Sequence, residues 1–346
     1  MSIEFVRWPD SYYIGIDGCS YPSKSLTGAK NFPVGLHLIT WTPSNGVGLV
    51  SGVFFFIWKP SAYTLTYDAS SENALIEEVD CVYDDRFYNY TCAGNWDQLV
   101  KFIQQKHLQK IFQSEGPMFF MDTSTYANID LNAAESELFQ PSEKDTVLRL
   151  TKFDVRKSWS PSSLGPERSL QAIDKTFMFQ RLVQSVWNNE HASALAEFSF
   201  AYLAYAFFSH YAALLHWKNF LEMLLQSYKL AETEPDYYST FLGLFQSQFE
   251  TLHDRDIETS ALFEGDFMQS LLENLLERKS DNSLPLQVNN ALDNLVNAVS
   301  EVVNIQENPE DAAPYYADDA NAAIDYDQEV HEIGHYVIDD FNNESN

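Results

Sequence analysis

From Glu197 to Ser227 the chain reads EFSFAYLAYAFFSHYAALLHWKNFLEMLLQS, and no other stretch is as long, as apolar and as free of Gly and Pro. Such a run either crosses a bilayer or lies at the centre of a helical core. Phe198 to Trp217 is long enough to span a membrane. However, Ser199, Ser209, His210 and His216 interrupt it, and no Lys/Arg cluster on either flank sets an orientation. The reading is therefore a buried helical pair that breaks near His210. Apolar residues lie nearly all round between Phe198 and Leu215, as on a helix packed on most sides. After Trp217 the pattern becomes one-sided, with Phe220, Leu221, Leu224 and Leu225 opposite Lys218, Asn219, Glu222 and Gln226.

Around this centre the chain divides by pattern. Residues 1–155 are strand-rich: Ile14–Asp17, an alternating Val34–Trp41, a continuous apolar Leu49–Trp58 suited to a central strand covered on both faces, and Tyr63–Tyr67. They predict an antiparallel sheet or small sandwich, with Gly18–Phe32 as a loop and Gly46–Gly48 as a hairpin turn. Asn95, as N-cap, opens a single helix whose stripe runs from Trp96 to Phe112. Val147–Val155 is extended again and is expected to return to the sheet as its last strand. Residues 156–169, rich in Ser and Pro, read as a linker. Residues 170–306 read as helical, with helices at Leu170–Trp187, Ser193–Tyr228, Asp236–Leu252, Ile257–Lys279 and Leu286–Ile305. Residues 307–346 hold twelve Asp or Glu and no Lys or Arg, a composition that predicts a flexible acidic tail. Within that tail His335, Tyr336, Val337 and Ile338 form a short β-prone island, a candidate for pairing with a partner's sheet edge.

The net charge of −29 argues against direct, sequence-independent nucleic-acid binding and against anionic membrane surfaces. Three cysteines in no ligand spacing and an N-terminus without an apolar h-region predict reduced thiols and an intracellular protein, cytoplasmic by default. His331-Glu332-Ile333-Gly334-His335 matches the HExxH of zinc peptidases, in which two His ligate the metal and Glu acts as general base. The context opposes it: Gly334 weakens a helix, the flanks are acidic tail, and no His follows to complete the site. We expect no metal and no cofactor. His210 and His216 read as hydrogen-bonded core histidines, and Asp80, Asp84 and Asp85 as a solvated loop.

Several ordered motifs resemble one family, the AAR-two splicing factor homologues, assembly factors of the U5 small nuclear ribonucleoprotein. Ile14-Gly15-Ile16-Asp17 looks like the family's opening strand. Gly28, Lys30, Pro33, Gly35 and His37 match its Gly-x-Lys-x-x-Pro-x-Gly-x-His segment. Glu197-Phe198-Ser199-Phe200-Ala201 resembles its Glu-Leu-Gln-Phe-Ala helix, and His216-Trp217-Lys218 its His-Trp-Lys position. Pro309–Pro314 resembles the start of its tail. Ser199 departs from the usual Gln, and the HExxH match is not a family feature.

The resemblance implies an α+β chain: a β-rich, sandwich-like N-terminal domain, an α-helical domain similar to VHS domains, and the acidic tail. It implies a monomeric, non-enzymatic assembly chaperone of the U5 precursor particle, found in cytoplasm and nucleus. The implied partner is the large U5 scaffold splicing protein, bound through its RNase H-like and Jab/MPN-type domains, with helicase and RNA binding delayed until maturation. His335–Ile338 would then be the strand that links the two partner domains. Control by phosphorylation is also implied. Ser227 is the candidate, because phosphate near a helix C-terminus opposes the macrodipole and repels Glu222 and Glu232. A generic helical interaction adaptor with an acidic tail is the alternative.

Overall fold

In the computed structural model the described residues are 1–45, 49–59, 61–71, 73–80, 84–91, 94–128, 147–254, 267–281 and 283–300. The first part is a sandwich of two five-stranded sheets. One sheet contains β1 (Ser2–Val6), β4 (Gly28–Lys30), β7 (Ala62–Asp68), β8 (Asn73–Val79) and β9 (Tyr88–Asn89), in the order β8-β7-β1-β4-β9. The other contains β2 (Tyr12–Ile16), β3 (Cys19–Pro22), β5 (Gly35–Pro43), β6 (Ser51–Ile57) and β10 (Met118–Asp122), in the order β10-β6-β5-β2-β3. The first sheet is mixed, because β1 runs parallel to β7 and β4 parallel to β9. The expected loop Gly18–Phe32 is therefore corrected: it supplies β3, a 3-10 turn at Ser23–Ser25, and β4. Each of these pieces is too short for alternation to be read; β3 pairs in a tight hairpin with β2, whereas β4 is held by β1 and β9, both distant in sequence. The expected turn at Gly46–Gly48 lies outside the described residues.

Parity along β6 explains how the sheet joins the helices. Val53, Phe55 and Ile57 point into the sandwich with Ile39 and Trp41 of β5. Phe54 points the other way, its ring 5.8 Å from Phe200 and 6.0 Å from Phe208. Side chains alternate strictly along a strand, so a continuous apolar run covers both faces of its sheet. On this second face lie α1 (Trp96–Val100) and α2 (Gln105–Phe112), with Phe112 packed 5.3 Å from Phe119 of β10.

The expected single helix from Asn95 is thus two. Gln104 restarts the chain as a new N-cap, and its capping box with His107 closes the first turn of α2. Asn95 makes no side-chain cap and instead donates to Glu250, 3.2 Å away. The expected last strand, Val147–Val155, is likewise corrected: only β12 (Val147–Leu148) is strand, pairing in parallel with β11 (Tyr126–Ala127) rather than with either sheet.

The helices follow. The expected linker holds a 3-10 turn at Val155–Lys157 and α3 (Gly165–Ile173), succeeded by α4 (Thr176–Ser185). Leu170–Trp187 is broken because Asp174 accepts from Thr176 N–H at 2.9 Å and from Lys229 N–H at 3.0 Å, starting a new helix while pinning a distant one. The long apolar stretch becomes α5 (His191–Phe208) and α6 (Tyr211–Leu225). All of α5 is buried except His191, Ala192 and Tyr205. The break falls where the sequence placed it. Ser209 takes a left-handed φ of 53°, and His210 Nδ1 accepts the Ala213 N–H while Nε2 donates to the Thr125 carbonyl at 2.6 Å. After these come α7 (Tyr228–Thr233), α8 (Pro235–Asp254), α9 (Phe267–Ser280) and α10 (Leu286–Ser300). Pro235 stands in the first turn of α8, where its missing N–H costs nothing. Met1–Asn304 forms one compact unit. No helix among the described residues is long and apolar enough to cross a membrane.

Gly28 illustrates the tight packing of the first sheet. A Cβ there would lie 2.6 Å from the Phe87 ring and 2.7 Å from the Ile3 carbonyl oxygen, which is backbone and cannot move aside. Gly28→Ala is expected to lower unfolding stability by about 1–3 kcal/mol, the usual cost of overpacking, read from the urea midpoint.

Candidate functional site

Of the motif residues, Pro33, His37, Glu197 and His216 meet in two buried hydrogen-bonded centres. The first lies in the sandwich. Asp17 is 2% exposed and follows β2 with a φ of 46°. Its Oδ2 meets His37 Nδ1 at 2.6 Å and accepts from Tyr90 Oη at 2.8 Å, while its Oδ1 accepts the Leu38 N–H at 2.7 Å. His37 Nε2 donates to the Pro33 carbonyl at 3.0 Å. Lys30 reaches from β4 to the carbonyls of Asp84 and Asp85, and Gly35 opens β5 with a φ of 147°. The carboxylate thus ties the end of β2 to the start of β5 and to the segment after β9.

The second centre lies within the helical part, where the segment after β12 enters it. Glu197, in the middle of α5, is buried. Oε1 accepts from Thr151 N–H at 2.6 Å and His216 Nε2 at 2.9 Å; Oε2 accepts from Thr151 Oγ1 at 2.7 Å and Trp187 Nε1 at 2.9 Å. Burial opposes the charge on Glu197, but the hydrogen bond and charge of His216, with Thr151 and Trp187, outweigh it and hold its pKa below the ordinary 4.5. Four donors use the lone pairs of this carboxylate, so it fastens the segment after β12, the turn after α4, and α6 to one point. A carboxylate so occupied is not a general base. Phe200, one turn along, carries the seam to the sheet through Phe54 and to α2 through Phe112, 5.5 Å away. Trp217 is buried and donates to Gln248 Oε1 at 2.8 Å.

Beside this centre is a cavity of about 240 Å³ lined by α2 and the turn after α4, including Lys106, His107, Lys110, Trp187, Glu190 and Glu197. Lys106 pairs with Glu190 at 2.5 Å, and Lys110 donates to the Val186 carbonyl at 2.8 Å. His107 Nδ1 accepts the Gln104 N–H at 3.0 Å, which places its proton on Nε2, facing Ser193 Oγ at 3.2 Å. Burial, then the charge of Lys106, depresses the His107 pKa from 6.5 to about 4. Because the folded value lies below the unfolded one, the neutral ring contributes stability that is complete above pH 6.5. It is lost as pH falls towards 4, when protonation breaks the α2 cap. His107→Gln, which can keep the capping box without titrating, is expected to flatten that part of the stability profile, measured by urea unfolding between pH 4 and 7.

Sequence reasoning paired neither Glu197 with His216 nor Asp17 with His37, and it missed Thr151, Trp187, Tyr90 and His107. One signal was available: a carboxylate inside an otherwise apolar helix must find donors elsewhere. Ser227 is corrected. It is fully buried between α6 and α7, with Oγ donating to the Met223 carbonyl at 2.7 Å, so this fold gives a kinase no access to it. Arg86 clasps Asp84 at 2.6 Å on the surface. Among the described residues no three His, Cys, Asp or Glu gather as a metal-binding group. His331–Glu332–Ile333–Gly334–His335 and the island His335, Tyr336, Val337 and Ile338 lie outside the described residues.

Comparison with known families places both centres in context. Residues 5–113 match the AAR2 N-terminal domain, and residues 150–308 match the AAR2 C-terminal repeat region. The chain belongs to the AAR2 family. The first match contains the Asp17–His37–Tyr90 centre, and the second contains all four residues of the Glu197 centre. AAR2 membership supports a splicing-related assembly role and association with components of splicing complexes. The strand-rich first part and helical second part agree with the order of the two AAR2 regions.

Proposed function

We propose that this AAR2-family protein is a non-enzymatic assembly chaperone of the U5 small nuclear ribonucleoprotein. In this reading it binds the large U5 scaffold splicing protein through its RNase H-like and Jab/MPN-type domains, and delays helicase and RNA binding until the particle matures. The observation that carries the reading is the ordered pair of family matches across residues 5–113 and 150–308. Charge supports it: a chain of net charge −29 suits a placeholder over a basic, RNA-facing surface, and long-range attraction would speed the encounter. The protein would act as a monomer, meeting its partner in the cytoplasm and accompanying it to the nucleus. His335–Ile338 would add a strand to the partner.

The test is size-exclusion chromatography with the RNase H-like domain of the scaffold, using the full chain and a chain ending at Glu307. We expect a stable complex that weakens on loss of the tail. Absence of a complex with the full chain would leave the generic adaptor as the better reading. Equal binding by both chains would remove the tail strand from the proposal.

A further inference from the structure

We propose that the free edge of β8 is a docking site for an extended, Lys/Arg-bearing segment of a partner protein, which adds to the first sheet as a further strand. The site is separate from the tail and independent of the scaffold reading. Strand β8 ends the order β8-β7-β1-β4-β9, and β7 is the only described strand paired with it. Its register with β7 runs unbroken from Asn73 opposite Asp68 to Val79 opposite Ala62. At seven residues it is longer than the other strands that end the two sheets, β9 having two, β10 five and β3 four. Alternate backbone N–H and C=O groups of an edge strand point away from its neighbour. Those of β8 meet no backbone partner among the described residues; the Ala74 N–H donates to the Asn73 side chain at 2.8 Å. Sheet edges are ordinarily blunted by Pro, Lys, a bulge or a covering element. Strand β8 has no Pro and no Lys, and its unbroken register leaves no bulge.

Register and charge together say what covers this edge. Ala74 and Ile76 face the sandwich core, so Leu75 and Glu77 stand on the opposite face, Leu75 being 60% exposed. On that face Glu77 lies opposite Thr64 of β7, which lies opposite Glu4 of β1. Asp68 stands at one end of the edge and Asp80 follows β8 at the other. From Asp68 to Asp85 the chain has seven Asp or Glu and no Lys or Arg. Lys59 is taken by Glu78 at 3.6 Å, and no ion pair holds Glu4, Glu77 or Asp80 among the described residues. The other cations of this sheet lie further in: Arg7 follows β1, two strands away, and Lys30 of β4, three strands away, reaches the Asp84 and Asp85 carbonyls. A strand added at the usual spacing of about 4.8 Å sets one row of side chains beside Leu75 and Glu77 and the other beside Ile76. It therefore matches a segment in which Lys or Arg alternates with β-branched residues. The chain's own acidic tail would bring like charge to the edge, and a second copy would set Glu77 against the same acidic strand. A phosphate backbone is repelled for the same reason.

The test uses a fluorescein-labelled peptide of about nine residues, Lys alternating with Val, long enough to run the length of β8. Its anisotropy is titrated with the full-length protein, and hydrogen exchange followed by mass spectrometry locates it. Saturable binding is expected that weakens as salt is raised, with exchange slowed at Asn73–Val79. Glu77→Lys/Asp80→Lys should weaken binding about tenfold or more, because attraction along the edge becomes repulsion. The same change of charge on α9, Glu273→Lys/Glu277→Lys, should leave it within about twofold. All four side chains are exposed, so both variants should melt as the wild type does, which separates lost docking from lost folding. The same peptide N-methylated at its central residues keeps every charge but cannot pair with a strand, and it should not bind. The proposal is overturned by absence of saturable binding, by equal binding of the N-methylated peptide, by an equal loss in the α9 variant, or by protection that falls elsewhere. Tighter peptide binding by a chain ending at Glu307 would assign the edge to the chain's own tail and overturn it too. So would a concentration-dependent dimer that slows exchange at Asn73–Val79 without the peptide.

Discussion

Replacing Glu197 by Gln is expected to destabilise the folded chain by about 3 kcal/mol, because a buried carboxylate with four donors becomes an amide that turns its own N–H groups toward two of them. The indole N–H of Trp187 can only donate, so it is left without an acceptor. For a protein of this size the midpoint of thermal unfolding should fall by roughly 5–10 °C. The variant should also behave differently in acid. Glu197 has a folded pKa below the ordinary 4.5, so its contribution is present above that pH and is lost as pH falls through the folded value. Gln does not titrate, and the corresponding part of the acid limb should disappear. A variant that melts within about 1 °C of wild type, with the acid limb intact, would show that the centre does not hold the fold.

Phe200→Ala is expected to cost about 3–5 kcal/mol, the range for emptying an aromatic site in a packed core. Phe200 is fully buried and touches Phe54 of the sheet and Phe112 of α2, so the cavity opens at the seam where sheet and helices meet. If the strand-rich and helical parts unfold as one unit, guanidinium unfolding followed by tryptophan fluorescence and by far-ultraviolet circular dichroism should give one coincident transition, shifted to lower denaturant. Two separated transitions in the variant would mean that each part is stable alone and that the seam is a docking contact between independent domains.

The sequence made the two parts legible because their signals are local. The alternating Val34–Trp41 and the apolar Leu49–Trp58 became β5 and β6, and the stretch around Glu197 became α5 and α6, broken at His210 as read. Pro235 announced the start of α8. What was not legible rests on partners far along the chain. β4 is three residues long and exists because β1 and β9 flank it. β12 pairs with Tyr126–Ala127 instead of a sheet, and Asp174 breaks a helix by reaching Lys229. Ser227 looked like an exposed residue near a helix end, yet it is fully buried and its Oγ donates to the Met223 carbonyl.

By itself the sequence determined the classes of structure, their order, the acidic balance and the family to which the chain belongs. It did so because periodicity, capping residues and net charge are properties of neighbouring residues and of sums. The tertiary structure alone decided that Asp17 meets His37 and that Glu197 gathers Thr151, Trp187 and His216. These depend on which distant groups are brought to within 3 Å in a site closed to water, where an unmet donor or acceptor is costly.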